Sequence, residues 1–119
     1  MAEIKAVMTE LLNPGEAQAW KVVWANMLAA DTAEAVKLLG FNDRSVQVEG
    51  TFGSATITMN GSLDGTNFRG LRDPSSTALT FTTAGLKAVL EAATSIKPAT
   101  SGGDGTSSLT VTMIFTRQR

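Results

Sequence analysis

The chain has no cysteine, no histidine and no tyrosine. Without cysteine there is no disulfide framework and no thiolate metal site, and the redox compartment is left open. Without histidine neither a Ser-His nor a Cys-His pair exists, so acid–base work near neutral pH falls to carboxylates and lysines. The eleven acids are scattered along the chain, and a glycosidase-type carboxylate pair would have to be assembled from them by the fold. No residue stands out as catalytic, and a non-enzyme is expected. No apolar run reaches membrane-spanning length. The start, MAEIKAVMTELL, carries Glu3 and no continuous apolar core, which argues against a signal peptide. A net charge of −1 gives no reason to expect nucleic acid or an anionic membrane as partner. Arg69, Arg72, Arg117 and Arg119 read as a solvated edge. At 119 residues the chain has room for one domain, expected to be soluble and made inside the cell.

Against these absences stands one stretch, Val46 to Leu71, reading VQVEGTFGSATITMNGSLDGTNFRGL. Val46, Val48, Gly50 and Phe52 alternate with Gln47, Glu49 and Thr51, the period of a strand with one buried face. After Gly53-Ser54 the alternation resumes, with Ala55, Ile57, Met59, Gly61 and Leu63 on one side and Thr56, Thr58, Asn60 and Ser62 on the other. Asp64-Gly65 supplies the positive φ of a tight turn, and Asn67 tolerates the same region. Phe68 opens a third strand. Asn60-Gly61 is a competing turn signal, but a turn there would leave Ser62-Leu63 as a stub. The stretch reads as a β meander.

The first forty residues are ambiguous. Asn13-Pro14-Gly15-Glu16 has the form of a helix start, and Trp20, Val23, Trp24, Met27 and Leu28 follow at helical spacing. Trp20, Val22, Trp24 and Leu28 equally share one face of a strand, interrupted by Asn26. Local signals favour helix. Asp31 to Gly40 repeats the problem, with an N-cap, an early acid and a terminal glycine. Later, Asp73-Pro74-Ser75-Ser76 is a loop and Leu79 to Thr82 a brief strand. Leu86, Val89 and Leu90 share one face of a short helical turn. Ile96 begins an extended piece that is expected to halt near Pro98. The last strand, Leu109 to Thr116, buries Leu109, Val111, Met113 and Phe115 and leaves Ile114 as the one apolar residue on its outer face.

Two glycine-rich loops invite sharper chemistry. Asp64-Gly65-Thr66-Asn67 and the surroundings of Asp104 offer oxygens to calcium, yet neither has the alternating acids of an EF-hand loop. Gly102-Gly103-Asp104-Gly105 has the glycines of a phosphate cradle but no following lysine or helix. Gly53, Asp64, Gly65, Asn67, Gly102, Gly103, Asp104 and Gly105 are therefore expected to shape turns, with no metal and no cofactor. Trp20 and Trp24 read as core rather than as a stacking platform.

These residues carry a resemblance. The runs DRSVQVEGTFGSATITMNGSLDGTNFRGLRDP, ALTFTTAGLKAVLE and IKPATSGGDGTSSLTVTMIFTRQ are similar to small virion proteins of tailed bacteriophages, of the type that decorates or cements the head. The most specific part is GTFG…GSLDGTNF…SGGDGTSSLTV, within residues 16–118. The resemblance implies an all-β fold, a single antiparallel β-sandwich (jelly-roll-like) with one short helical turn. In it Trp20 to Leu28 is a strand, against the local helix signals, and Asp31 to Phe41 its loop. Residues 1–13, mildly amphipathic and outside the resemblance, are expected to form an N-terminal arm ahead of a sandwich domain, 14–119. The implied role is a capsid decoration or cement protein at the virion surface, made in the host bacterial cytoplasm. Its partners would be the major capsid protein and its own copies, as a homotrimer, with no nucleic acid and no membrane. Ile4, Val7, Met8, Leu11 and Leu12 of the arm, with Ile114, are the interface candidates. A surface glycan- or receptor-binding module and a tail or neck component are the alternatives. The GSLDGTNF turn also recurs in discoidin-like glycan-binding sandwiches, but the tyrosines, histidines and loop aromatics that bind sugar there are missing here.

Overall fold

The computed structural model describes residues 3–12, 18–37, 43–91 and 93–117. These form β1 Glu3–Ile4, β2 Val7–Leu12, β3 Gln18–Leu28, β4 Thr32–Ala33, β5 Asp43–Thr51 and β6 Ala55–Ser62. They continue as β7 Arg69–Gly70, β8 Thr80–Phe81, β9 Gly85–Ala88, β10 Ser95–Gly102 and β11 Ser108–Arg117. Among the described residues there is no helix. One antiparallel sheet runs β2-β3-β11-β5-β9; in the second, β6 pairs β10 on one edge and both β7 and β8 on the other. β1 and β4 make a short parallel pair. The fold is all-β, two antiparallel sheets closed over one core.

The core follows from the alternation. Val22, Trp24, Val46, Val48, Val111, Met113 and Phe115 of the five-stranded sheet join Ile57, Met59 and Ile96 of the other, none more than 1% exposed. Burying each large aliphatic or aromatic side chain is worth roughly 1.5–3 kcal/mol. Phe52 packs against this cluster half-buried.

Residues 18–28 are a strand because Val22 and Trp24 pair with Met113 and Val111 across the sheet. β-Branched and aromatic residues suit that pleated, half-buried surface. The alternation does not run through, however. Between Trp24 and Met27 two residues, Ala25 and Asn26, oppose the single Thr110, and Asn26 adopts φ 56°. This bulge reverses the facing. Met27 is fully buried, and Leu28, expected inside, is 53% exposed.

Four further expectations are corrected. The helical turn at 83–90 is strand β9, paired along β5 from Val48↔Gly85 to Ser45↔Ala88. Two helical turns at most cannot repay helix nucleation when a sheet edge offers partners to the backbone groups that point towards β5. Pro98 does not halt its strand: β10 runs on to Gly102. Met59, opposite Pro98, spends its N–H on the Leu79 carbonyl and its carbonyl on the Leu71 N–H. Proline thus sits where β6 needs no donor, on the outer strand of its sheet. Leu63 is not on the buried face; it stands 76% exposed beyond the end of β6. Finally, the segment read as an arm is built into the sheets over its described part, β1 pairing β4 and β2 pairing β3 from Val7↔Val23 to Leu12↔Gln18. The part of the expected Asp31–Phe41 loop that lies within 31–37 is described; residues 38–42 and the expected helix start at 13–16 lie outside the described residues.

Candidate interaction surfaces

β2 is the outer strand of the five-stranded sheet, and Val7 to Leu11 are all exposed along it. Its pairing with β3 sets Val7, Thr9 and Leu11 on the outward face beside Val23, Lys21 and Ala19. Met8 and Glu10 lie on the core-facing side beside Val22 and Trp20. Following the registers across the sheet gives two outward rows: Val7–Val23–Thr112–Gln47–Leu86 and Thr9–Lys21–Ile114–Ser45–Ala88. The sheet therefore gathers Val7, Leu11 and Ile114 on one surface, joined by Leu86, which is 66% exposed. Leu86 escapes sequence reading because a helical facing of Leu86, Val89 and Leu90 hides it. Ile114 is half-buried in a shallow depression with Leu86, Thr112 and Gln47.

Three interface candidates separate from this group, Met8 because it lies on the core-facing side of β2. Ile4 is half-buried against the core, its carbonyl accepting from the Glu34 N–H at 2.9 Å. Leu12 belongs to β2 by its backbone; its side chain lies outside the described residues.

The two glycine-rich loops sit at opposite ends of β6. In the first, Asp64 Oδ1 accepts hydrogen bonds from the Asn67 and Thr66 N–H groups and the Ser62 hydroxyl, each at 2.8 Å. Asp64 Oδ2 accepts from Asn67 Nδ2 at 2.9 Å. Those donors, the Asn67 and Thr66 N–H groups foremost, hold the carboxyl well below the usual carboxylate range. Gly65 takes φ 81° in open space, so only its backbone conformation demands glycine. In the second loop Asp104 Oδ1 accepts from the Thr106 hydroxyl at 2.6 Å and from the Thr106 N–H at 2.8 Å, which lowers its pKa. Ser107 donates its hydroxyl to the Phe52 carbonyl at 2.7 Å, binding this loop to the Gly53 turn. A Cβ on Gly53 would lie 2.7 Å from Thr106 Oγ1 and 2.9 Å from Ser107 Oγ. Gly102 and Gly103 have φ 66° and 93°. Gly105 and Asn67 complete the loops without a positive φ.

These carboxylates are occupied with their own turns. Among the described residues no group of three or more Asp and Glu is arranged to hold a metal ion. Beside the Asp64 turn a hollow of about 530 Å³ opens over Gly61, Leu71 and Ala93, rimmed by Leu63, Asp64, Asn67, Arg69 and Glu91. Glu91 is spent on the N–H and guanidinium of Arg72. Arg69 makes one long hydrogen bond, to the Phe68 carbonyl at 3.4 Å.

No protein family, no curated protein and no solved structure matches this chain. No helix is long and apolar enough to cross a membrane among the described residues.

Proposed function

We propose that this chain is a capsid decoration or cement protein of a tailed bacteriophage, held to the shell by the outward face of its five-stranded sheet. The observation that supports the reading is that face itself. It carries Val7, Leu11, Val23, Ile114 and Leu86 among threonines, with Lys21 and Glu49 as its central charges. A rigid sheet with scattered apolar side chains and hydroxyls suits a broad, partly polar contact with a protein surface. A standard interface covers roughly 800 Å² per partner, within reach of five strands. Binding only the assembled shell stabilises it by linkage, and repetition at equivalent joints multiplies the effect. The resemblance to head-decoration proteins agrees with this use.

Shells stripped of the protein should assemble but rupture at lower temperature, and adding it back should restore them. Ile114→Lys with Leu86→Lys should keep the fold and lose the rescue. Full rescue by that variant defeats the reading.

The hollow beside Asp64 favours a second reading, a surface receptor- or glycan-binding module. Its apolar floor and mixed polar rim suit a small uncharged polar ligand. Saccharide titration followed by amide chemical shifts at Arg69 and Asn67, with no binding to shells, would select it.

A further inference from the structure

Natural proteins blunt the outer strands of their sheets with lysine, proline, bulges, shortness or a covering loop. β2 has six residues, VMTELL, with no lysine, proline or glycine and one charge, Glu10. Its exposed apolar side chains stand on both faces, with Val7 60%, Met8 40% and Leu11 36% exposed. No described strand pairs beyond it. We infer that β2 pairs antiparallel with β2 of a second copy, about a two-fold axis that passes beside Thr9 and runs normal to the sheet.

The register follows from side-chain chemistry. A two-fold normal to the sheet keeps both outward faces on one side, so residues opposite each other belong to the same face. Few centres are then available. An axis at Glu10 sets two carboxylates directly opposite, which is destabilising. An axis at Met8 sets Lys5 against Leu11 and Val7 against Thr9. An axis at Val7 sets Leu11 against Glu3 and Lys5 against Thr9. An axis at Thr9 sets Val7 of each copy against Leu11 of the other, Thr9 against Thr9, and Glu10 against Met8. Each exposed apolar side chain of the outward row then meets another, and no like charges oppose. This is the self-complementary register.

Such a pair closes at two copies, whereas a threefold ring needs β2 to meet a different surface of the next copy. The two-fold replaces the trimer as the elementary assembly. It also presents two outward faces in one direction, so a shell could engage both together. The pairing does not rest on shell binding, and each can fail without the other.

The cysteine-free chain makes the test direct. Thr9→Cys places one thiol per copy beside the axis, where the effective thiol concentration is on the order of millimolar. On oxidation at micromolar protein it should form covalent dimers at least about tenfold faster than Leu63→Cys, whose position is exposed just past β6 of the other sheet. A mixture of Val7→Cys and Leu11→Cys chains should cross-link between the two kinds in preference to within either. Sedimentation should show a wild-type dimer, converted to a folded monomer by Val7→Lys with Leu11→Lys. A wild-type monomer or trimer overturns the pairing, as does equal cross-linking of Thr9→Cys and Leu63→Cys. Shell rescue by a wild-type monomer would leave the cement reading standing and this one fallen. A Thr9→Cys dimer that ignores shells would do the reverse.

Discussion

The Trp24 indole N–H donates to the Glu34 carbonyl at 2.8 Å, in a part-buried contact. Trp24 is fully buried, and a buried indole needs an acceptor. Glu34 also donates its N–H to the Ile4 carbonyl at 2.9 Å and accepts the Ala6 N–H on Oε1 at 2.9 Å. One residue outside the strands thereby fixes the crossing chain, the end of β1 and the approach to β2. Two residues on, Val36 exchanges both backbone hydrogen bonds with Ile96 of the second sheet, at 2.9 and 3.0 Å.

Trp24→Phe removes the donor and leaves the part-buried Glu34 carbonyl without it. It should cost about 1–3 kcal/mol, measured from the denaturant midpoint. Glu34→Gln keeps an acceptor for Ala6 and should cost less than about 1 kcal/mol. Equal losses in the two variants would show that the indole hydrogen bond is not what holds this corner.

The bulge at Asn26 gives a second prediction. Asn26 occupies the left-handed region, φ 56°, which asparagine tolerates and a β-branched residue does not. Asn26→Gly should be neutral within about 0.5 kcal/mol, whereas Asn26→Val should cost roughly 1–2 kcal/mol. Deleting Asn26 should be far worse, because it returns the strand to unbroken alternation. Leu28 would then replace Met27 inside, against a Leu109 that is 1% exposed and packed for the present facing. Hydrogen exchange at the β3–β11 end would report the loss.

This bulge also marks where the sequence stops being legible. The buried faces of β5, β6 and β11 could be read from strict alternation at Val46, Val48, Ile57, Met59, Val111 and Phe115. Leu28 and Met27 could not, since one inserted residue inverts a period-two pattern without changing composition. The helix signals failed at Thr83–Leu90 because they record only local preference, while β9 is decided by the open edge of β5. Val7, Met8 and Leu11 stand out in the sequence as apolar residues without a place in the core. Only the strand pairing shows that Val7 and Leu11 share the outward face while Met8 does not. Apolar character does not tell a free arm from an outer strand, nor an exposed Val7 from Ile4, which is half-buried against the core. Leu86 was missed for the same reason as β9.

Backbone approach and backbone conformation can be separated at two glycines. Gly50 has φ 125°, and a Cβ there would collide with the Ser108 carbonyl oxygen of the neighbouring strand; Gly65 has φ 81° in open space. Gly65→Ala should therefore cost only the left-handed penalty, about 1–2 kcal/mol. Gly50→Ala adds a clash with backbone that cannot move aside and should cost more than about 3 kcal/mol. Comparable thermal midpoints for the two would mean that β5 and β11 part more easily than their register implies.

Facing in the last strand can be tested by truncation. Phe115 is 1% exposed and packs under the Arg44 guanidinium, 5.7 Å from ring to cation. Phe115→Ala should cost about 3–5 kcal/mol. Thr112→Ala, on the outward face, should change stability by less than about 1 kcal/mol. Equal costs would contradict the two-faced sheet.

Acid should unfold this protein through its turns. Asp64 and Asp104 both have folded pKa values below the ordinary carboxylate value, through donors that exist only when the loops are formed. In the unfolded chain an aspartate titrates near 3.9. A depressed folded pKa contributes stability that is complete above that value and is lost as pH falls through the folded one. The thermal midpoint should be level through neutral and mildly acidic pH and fall below about pH 4. Asp64→Asn combined with Asp104→Asn should lower the midpoint at neutral pH and flatten the acid limb, because the protonation-linked loss has been removed in advance. Calcium and a chelator should both leave the wild-type midpoint unmoved, since both Asp64 oxygens and Asp104 Oδ1 already accept from Thr66, Asn67 and Thr106. A double variant with an undiminished acid slope would place the acid sensitivity elsewhere. A calcium-dependent rise in midpoint, abolished by either substitution, would turn these turns into an ion site.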